Sequence, residues 1–287
     1  MGTMRVHHLN CGTMHPASQR LINGTGGLFA AATLVCHCLL VETEQSLILI
    51  DTGFGTRDAE EPVGSLGENF LRLIRPVLDP RESALSQVIR LGYQPTDVRH
   101  IVLTHLDPDH TGGISDFPWA TVHLHAREHE AGMLRPTRGE RRRYRPNQWA
   151  HGPVWSTYDE TGGDDWFGFA AVHQLAGLAP EVLLVPLAGH SRGHTGVAVD
   201  TGANWVLHAG DAYFFRGEID PARPHCPRGL RMSQNMVQFN GPARRANLTR
   251  LRELRASHHH QVDVFCAHDP VELARYNHYP TEDLSCQ

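Results

Sequence analysis

Six consecutive residues, His105-Leu106-Asp107-Pro108-Asp109-His110, bring two imidazoles and two carboxylates together directly after the apolar run His100-Ile101-Val102-Leu103-Thr104. A short apolar run of this kind reads as a buried strand, so the polar segment begins where a strand leaves the core. Gly112-Gly113 follows and lets the backbone fold tightly around it. Ionisable groups clustered at the edge of a core are costly to desolvate unless something of opposite charge holds them. A divalent cation resolves that conflict, and His and Asp are ligand types that zinc and related ions accept. The bland alternative is a polar turn with capping aspartates and surface histidines. A metal reading constrains the fold, because further ligands must arrive from other strand ends.

Three later segments offer them. Gly189-His190-Ser191 with Gly193-His194-Thr195, then Ala209-Gly210-Asp211, then Ala267-His268-Asp269 each come shortly after a β-rich run. Those runs are Val182 to Leu187, Gly196 to Asp200, Trp205 to His208 and Val262 to Cys266, with a loop after His208 and then a helix expected from about Pro242 to Ser257. In the first half, strands are expected over Arg5 to Leu9, Leu34 to Val41 and Ser46 to Ile50, the last running into Asp51-Thr52-Gly53. Apolar residues at three- and four-residue spacing between Leu66 and Leu91, broken near Pro76 and Pro80, predict two helices. Thr121 to Leu124 reads as a strand, Ala126 to Leu134 as a helix, and Arg135 to Trp166 as a long irregular insertion of the kind that forms lids. Alternating strands and helices predict an α/β or α+β layered sandwich. One domain is expected over 1–287, with halves of roughly 1–150 and 151–287.

This ligand set resembles the metallo-β-lactamase superfamily, in particular its glyoxalase II and lactonase-like branches, whose signature is HxHxDH followed by separate His, Asp and His ligands. The resemblance spans most of the chain and implies an αβ/βα four-layer sandwich of two mixed β-sheets flanked by helices. It implies one metal held by His105, Asp107 and His190, a second held by Asp109, His110 and His268, and Asp211 bridging both. It makes Asp51 a brace for the metal loop and His194 a supporting residue, with exchange of His190 and His194 as the alternative. Asp107 departs from the pattern, standing where the family has its second histidine. The two divalent ions expected are Zn2+, but a carboxylate at this place makes that site more hospitable to Fe or Mn. The flavodiiron branch also carries a carboxylate there, although 287 residues leave no room for its flavodoxin-like domain.

The function this implies is hydrolysis of a small ester or lactone, an N-acyl homoserine lactone among the candidates, by a hydroxide bridging the two metals. A glyoxalase II-like thioesterase and an iron-dependent redox enzyme are the alternatives. Asp109 is expected to shuttle a proton to the leaving group. Tyr213, in Asp211-Ala212-Tyr213-Phe214, resembles the tyrosine that contacts substrate in the lactonase-like branch, with a core aromatic as the competing reading. Trp149 and His151 in the insertion, and Phe214, are expected at the substrate pocket. His258-His259-His260 reads as a solvated helix end, His123 and His125 as structural, and Arg141-Arg142-Arg143 as a solvated patch with an anionic-substrate contact as the lesser reading.

Composition removes other classes. All 26 basic residues are arginine, which excludes lysine Schiff-base chemistry. A net charge of -5 with both signs mixed along the chain gives no footprint for nucleic acid or membrane, so the expected partner is a small molecule. Six scattered cysteines without a CxxC pair fit a reduced, cytoplasmic setting. No export leader and no apolar run of about 18 residues is evident, which disfavours β-lactam hydrolysis outside the cell. The oligomer is left open, a homodimer included.

Overall fold

The computed structural model describes residues 4–159, 161–178 and 181–276. Twelve strands among these residues form two six-stranded sheets. The first runs in sequence order through β1 (Arg5–Met14), β2 (Leu34–Glu42), β3 (Leu47–Ile50), β4 (Val98–Val102), β5 (Thr121–His125) and β6 (Val154–Tyr158). The second contains β7 (Asp164–Trp166), β8 (Phe169–Gln174), β9 (Val182–Pro186), β10 (Thr195–Asp200), β11 (Trp205–His208) and β12 (Val262–Phe265). Each sheet is antiparallel at first and then parallel: β3 to β6 are parallel in the first, and β11 pairs parallel with β12 in the second. Both are therefore mixed sheets.

Period-two alternation explains the layering. Along β2, Cys36, Cys38 and Leu40 enter a core beneath the outer helices, while Leu39 and Val41 enter the core between the sheets. In β3, Leu47 and Leu49 face the helices while Ile48 and Ile50 face the other sheet. In β9, Leu183 and Val185 face the helix Gly241–His258 while Val182 and Leu184 face inward. Strands buried on both faces need a layer on each side, and helices supply the outer two. The result is the expected four-layer sandwich. Helix Gly241–His258 is capped by the Asn240 side chain, which accepts from Ala243 N at 3.1 Å, and lays Leu248, Leu251 and Leu254 on the second sheet.

The change from one sheet to the other falls after β6, and the two halves share the inter-sheet core. Two expectations need correction. The stretch 135–166 is largely regular: helix Arg138–Arg143, a 3-10 turn at Pro146–Trp149, β6 and β7 occupy it. The signal was present in Thr137-x-x-Glu140, a capping box in which Thr137 Oγ1 accepts from Glu140 N at 3.2 Å and Glu140 accepts from Thr137 N at 3.0 Å. The loop expected between β11 and the long helix contains helix Arg228–Val237. Among the described residues no helix is long and apolar enough to cross a membrane.

Candidate metal centre

The two parallel pairs, β3 with β4 and β11 with β12, bring their C-terminal ends to one edge of the sandwich, where their following turns meet. Asp51 follows β3, the segment Thr104 to His110 follows β4, Asp211 follows β11 and His268 follows β12; His190 comes from the turn after β9. Backbone chemistry locks these turns together. Thr52 N and Thr52 Oγ1 donate to His110 O at 2.9 and 2.8 Å, and Gly113 N donates to Thr52 Oγ1 at 3.0 Å. Gly210 sits at φ +52°, and a Cβ there would lie 2.7 Å from His194 Nε2 and 2.9 Å from Thr104 Cβ, so only glycine fits this approach.

Two groups of ligand-type atoms result. His105, Asp107, His190 and Asp211 offer atoms all within 4.8 Å of one another, and so do Asp109, His110 and His268. Asp211 reaches both groups with different oxygens. Its Oδ2 lies 3.7 Å from His105 Nε2 and 3.3 Å from His190 Nε2, while its Oδ1 lies 3.3 Å from His110 Nε2 and 3.0 Å from His268 Nε2. Asp107 Oδ2 is 3.3 Å from His105 Nε2 and 3.0 Å from His190 Nε2, and Asp109 Oδ2 is 3.6 Å from His268 Nε2.

Three of the four imidazoles are aimed by their other nitrogen, whereas His190 Nδ1 is buried without a hydrogen-bond partner. His110 Nδ1 donates to Asp51 Oδ2 at 2.8 Å, His268 Nδ1 to Val35 O at 2.8 Å, and His105 Nδ1 meets Thr104 Oγ1 at 2.9 Å. This leaves Nε2 of all three facing the cluster, the arrangement that outer partners impose on metal-bound histidines. His194 differs, because its Nδ1 donates to Leu187 O and its Nε2 accepts Asp211 N–H at 2.8 Å. Its lone pair is already used, so His194 holds Asp211 in place and His190 faces the group. Asp51 also accepts from Thr104 N and Thr104 Oγ1, at 2.8 and 2.7 Å.

The electrostatics carry the mark of carboxylates and imidazoles balanced against each other. Burial pushes the Asp211 carboxyl up, but His268, His110, His190 and His105 around it outweigh burial and hold it well below the usual range. Burial likewise opposes the ionised form of Asp107, and Arg143 and then His105 reverse the effect. Burial depresses His110 and His268, yet Asp211 raises both above the ordinary imidazole value, with Asp51 adding to the effect on His110. His190 is pushed down to about 4, by burial first and by Arg143 second.

The residues fit divalent cations on an observation internal to the cluster. His105 Nε2, His110 Nε2 and Asp211 Oδ1 are buried atoms without a hydrogen-bond partner, and each points into it. Orphaned polar atoms are expensive in a folded interior. Three such atoms aimed at one space, with two carboxylates beside them, form a donor set that a cation satisfies.

Several residues outside the motif complete the frame. Glu128, fully buried, accepts from Leu106 N at 3.1 Å and Tyr144 OH at 3.1 Å through Oε1, and from Ser191 Oγ at 2.7 Å and Gly193 N at 2.9 Å through Oε2. It ties the Asp107 turn to the His190 turn. Gln148 accepts from Thr111 Oγ1 at 2.6 Å and donates to Pro108 O at 3.1 Å. Nothing in the spacing of Glu128 or Gln148 marks them, since their partners, backbone and side-chain atoms alike, lie far along the chain. Arg143, expected in a solvated patch, turns inward from the end of its helix to Asp107, while Arg141 and Arg142 stay exposed.

The residues expected to meet substrate divide. Phe214 lies against the cluster, stacked on His268 with ring centroids 5.0 Å apart and 5.7 Å from His190. Tyr213 does not: it is fully buried in the core under the second sheet, and its hydroxyl donates to Glu272 at 3.1 Å. Ala212 and Tyr213 both enter that core, and Phe214 is the first residue after Asp211 whose ring meets the cluster. Trp149 is buried in the first core, where Leu106 also packs, rather than lining a pocket. His151 is exposed on the turn beyond it. His123 bonds Tyr158 and His100, and His125 caps helix Ala126–Leu134, which makes both structural.

A family model described as the metallo-beta-lactamase superfamily matches residues 32–260. The chain belongs to that superfamily. A probable metallo-hydrolase of Mycobacterium tuberculosis is 44% identical over 274 residues, covering 95% of this chain and 83% of its own. An N-acyl homoserine lactonase of Agrobacterium fabrum is 38% identical over 82 residues, 29% of this chain and 31% of its own. Among solved structures, an N-acyl homoserine lactone hydrolase with the product N-hexanoyl-L-homoserine at its catalytic metal centre superposes with a TM-score of 0.69 at 21% identity, covering 96% of this chain and 97% of that one. At that identity the likeness shows the fold, and the superfamily's two mixed sheets between helices are those described above.

Proposed function

We propose that this metal-dependent hydrolase opens a small lactone, or cleaves a small carboxylic ester, at a centre of two divalent ions, zinc in the first instance. The observation that carries this reading is the division of Asp211, with Oδ2 beside His105 and His190 and Oδ1 beside His110 and His268. A carboxylate shared in that way suits two cations better than one. His105, Asp107 and His190 would hold the first, Asp109, His110 and His268 the second, and Asp211 both. Such ions, when bound, polarise a carbonyl and make a shared water acidic enough to attack near neutral pH.

The chain's own side chains do the remaining work. Asp109, on the His268 side with 14% of its side chain exposed, can take a proton from the attacking water and pass it to the departing alkoxide. Phe214, stacked on His268, gives the site an apolar wall beside the reacting carbonyl. Asp51, His194 and Glu128 hold the ligands so that no reorganisation is needed when the substrate arrives. Lactones are favoured over thioesters because lactonases recur among the relatives and the fold neighbours, and an N-acyl homoserine lactone is the first compound to try. Asp107 makes the first ligand set richer in oxygen, so iron or manganese fits there as well.

The test is a panel of lactones, simple esters and a glutathione thioester, assayed with chelator-treated protein and after zinc, manganese or iron is restored. Metal-dependent lactone opening with Asp109→Asn strongly impaired is expected. Preference for the thioester would move the substrate class, iron dependence with an oxidised product would replace hydrolysis, and an Asp109→Asn variant with normal rate and metal content would remove the proton role.

A further inference from the structure

The two ligand groups differ in their cationic company. Arg143 Nε lies 2.6 Å from Asp107 Oδ1, its Nη1 donates to His190 O at 2.8 Å, and its Nη2 donates to His190 Nε2 at 2.7 Å. One guanidinium thus engages two of the three residues that would hold the first ion, and on His190 it occupies the nitrogen that faces Asp107 and Asp211. In the second group, Asp109, His110 and His268 form their ion pairs with Asp211, with Asp51 and with one another. The pairing is built into the fold: the Thr137–Glu140 capping box starts a six-residue helix whose last residue is Arg143, with its side chain only 13% exposed.

Resting on the two-ion reading above, we propose that Arg143 is an internal counter-ion of the first ligand group that offsets the charge of Asp107 and competes with a cation for His190. The two positions therefore fill unequally. The Asp109–His110–His268 position loads first and tightly; the His105–Asp107–His190 position loads second and weakly, and its ion exchanges.

The lone pair of an imidazole nitrogen serves one partner, so a cation reaching His190 Nε2 must displace Arg143 Nη2. Guanidinium stays charged at every accessible pH, so the competition is not relieved by losing a proton. Asp107 contributes a negative charge where a histidine would be neutral, and Arg143 returns the charge of the first group to that of a three-nitrogen set, removing the extra Coulombic pull a second carboxylate would exert on a cation. After displacement the guanidinium remains tethered by Asp107 Oδ1 and His190 O, so it can return when the ion leaves.

Equilibrium zinc titration of metal-free protein against a chromophoric chelator tests the proposal without reference to activity. The wild type should take two equivalents in separate steps, with dissociation constants at least about tenfold apart. Arg143→Gln should tighten the weaker step by about tenfold or more, the scale of one charge-assisted hydrogen bond removed from competition, and leave the tighter step unchanged. Arg143→Lys, which keeps the charge but lacks the fork that engages Asp107 and His190 together, should fall between, and it carries the test if Arg143→Gln does not melt cooperatively. Two equal steps in the wild type, or a weaker step that is unchanged or loosened in the variants, overturns the role of Arg143 and leaves two ions in place. Fewer than two equivalents in wild type and variants alike overturns the two-ion reading itself.

Discussion

Asp51→Asn isolates the contribution of a residue that touches no substrate and is not itself among the grouped ligand atoms. Asp51 is 1% exposed, sits at φ +53°, and accepts three hydrogen bonds: from Thr104 N at 2.8 Å, Thr104 Oγ1 at 2.7 Å and His110 Nδ1 at 2.8 Å. Asparagine tolerates the left-handed backbone and matches the size, so the change is confined to the head group. One oxygen becomes an NH2, which then faces a donor. If it faces Thr104 N–H, a buried backbone donor loses its partner; if it faces His110 Nδ1, the imidazole must accept there and carry its proton on Nε2, the atom aimed at Asp211. Either arrangement loses a hydrogen bond to a charged group, about 1.5–3 kcal/mol. Expressed through His110, that is about a ten- to hundredfold loss of metal affinity, the scale seen when outer partners of ligating histidines are removed. Chelator competition on the purified variant measures it, with hydrolysis expected to fall at limiting metal and to recover partly in excess. Affinity within about twofold of wild type, with the apo protein equally stable, would show that Asp51 does not orient His110.

Gly112→Ala should destabilise the protein by at least about 1–3 kcal/mol by overpacking, because its Cβ would sit 1.9 Å from Asp58 Oδ2 and 2.8 Å from Gly53 O; denaturant melts of the apo form report it. Tyr213→Phe should lower stability by about 1–2 kcal/mol through the lost bond to Glu272 and leave the kcat of lactone opening intact, whereas a kcat collapse with unchanged KM would return Tyr213 to the reacting groups. Burial raises Glu272 from 4.5 to about 7, with Cys266 N–H opposing the rise. Its folded value lies above its unfolded one, so the stability it contributes is full below about pH 4.5 and disappears as pH climbs through about 7. That loss is about 3 kcal/mol at about 1.4 kcal/mol per unit. Melting temperatures between pH 5 and 8 should therefore fall less steeply in Glu272→Gln than in wild type, and parallel slopes would refute the assignment.

The ligands were legible because this architecture writes its chemistry at strand ends. His105 to His110, Asp211 and His268 each follow an apolar run, and the ending of such a run on a charged residue can be seen in one dimension. The existence of β1 to β5 and of β9 to β12 followed from apolar runs, the last four to within a residue or two at each end, whereas β6 to β8 carry no such run. Residues that act across the fold were not legible. Glu128 joins two turns through backbone donors 22 and 65 residues away, and no local pattern encodes that reach. Arg143 looked like one of three solvated arginines because the helix phase that turns it inward depends on the Thr137–Glu140 start, a capping box that lay unread within a stretch taken as irregular. Tyr213 and Phe214 were adjacent candidates, and only the backbone after Gly210 decides which ring meets His268.

The most direct test is a crystal structure of zinc-loaded protein with anomalous differences collected at the metal edge. Two peaks are expected, one among His105, Asp107 and His190 and one among Asp109, His110 and His268, with one oxygen of Asp211 on each and the first peak weaker at limiting zinc. A single peak at saturating zinc, or two peaks with Asp211 bound to only one, would contradict this arrangement.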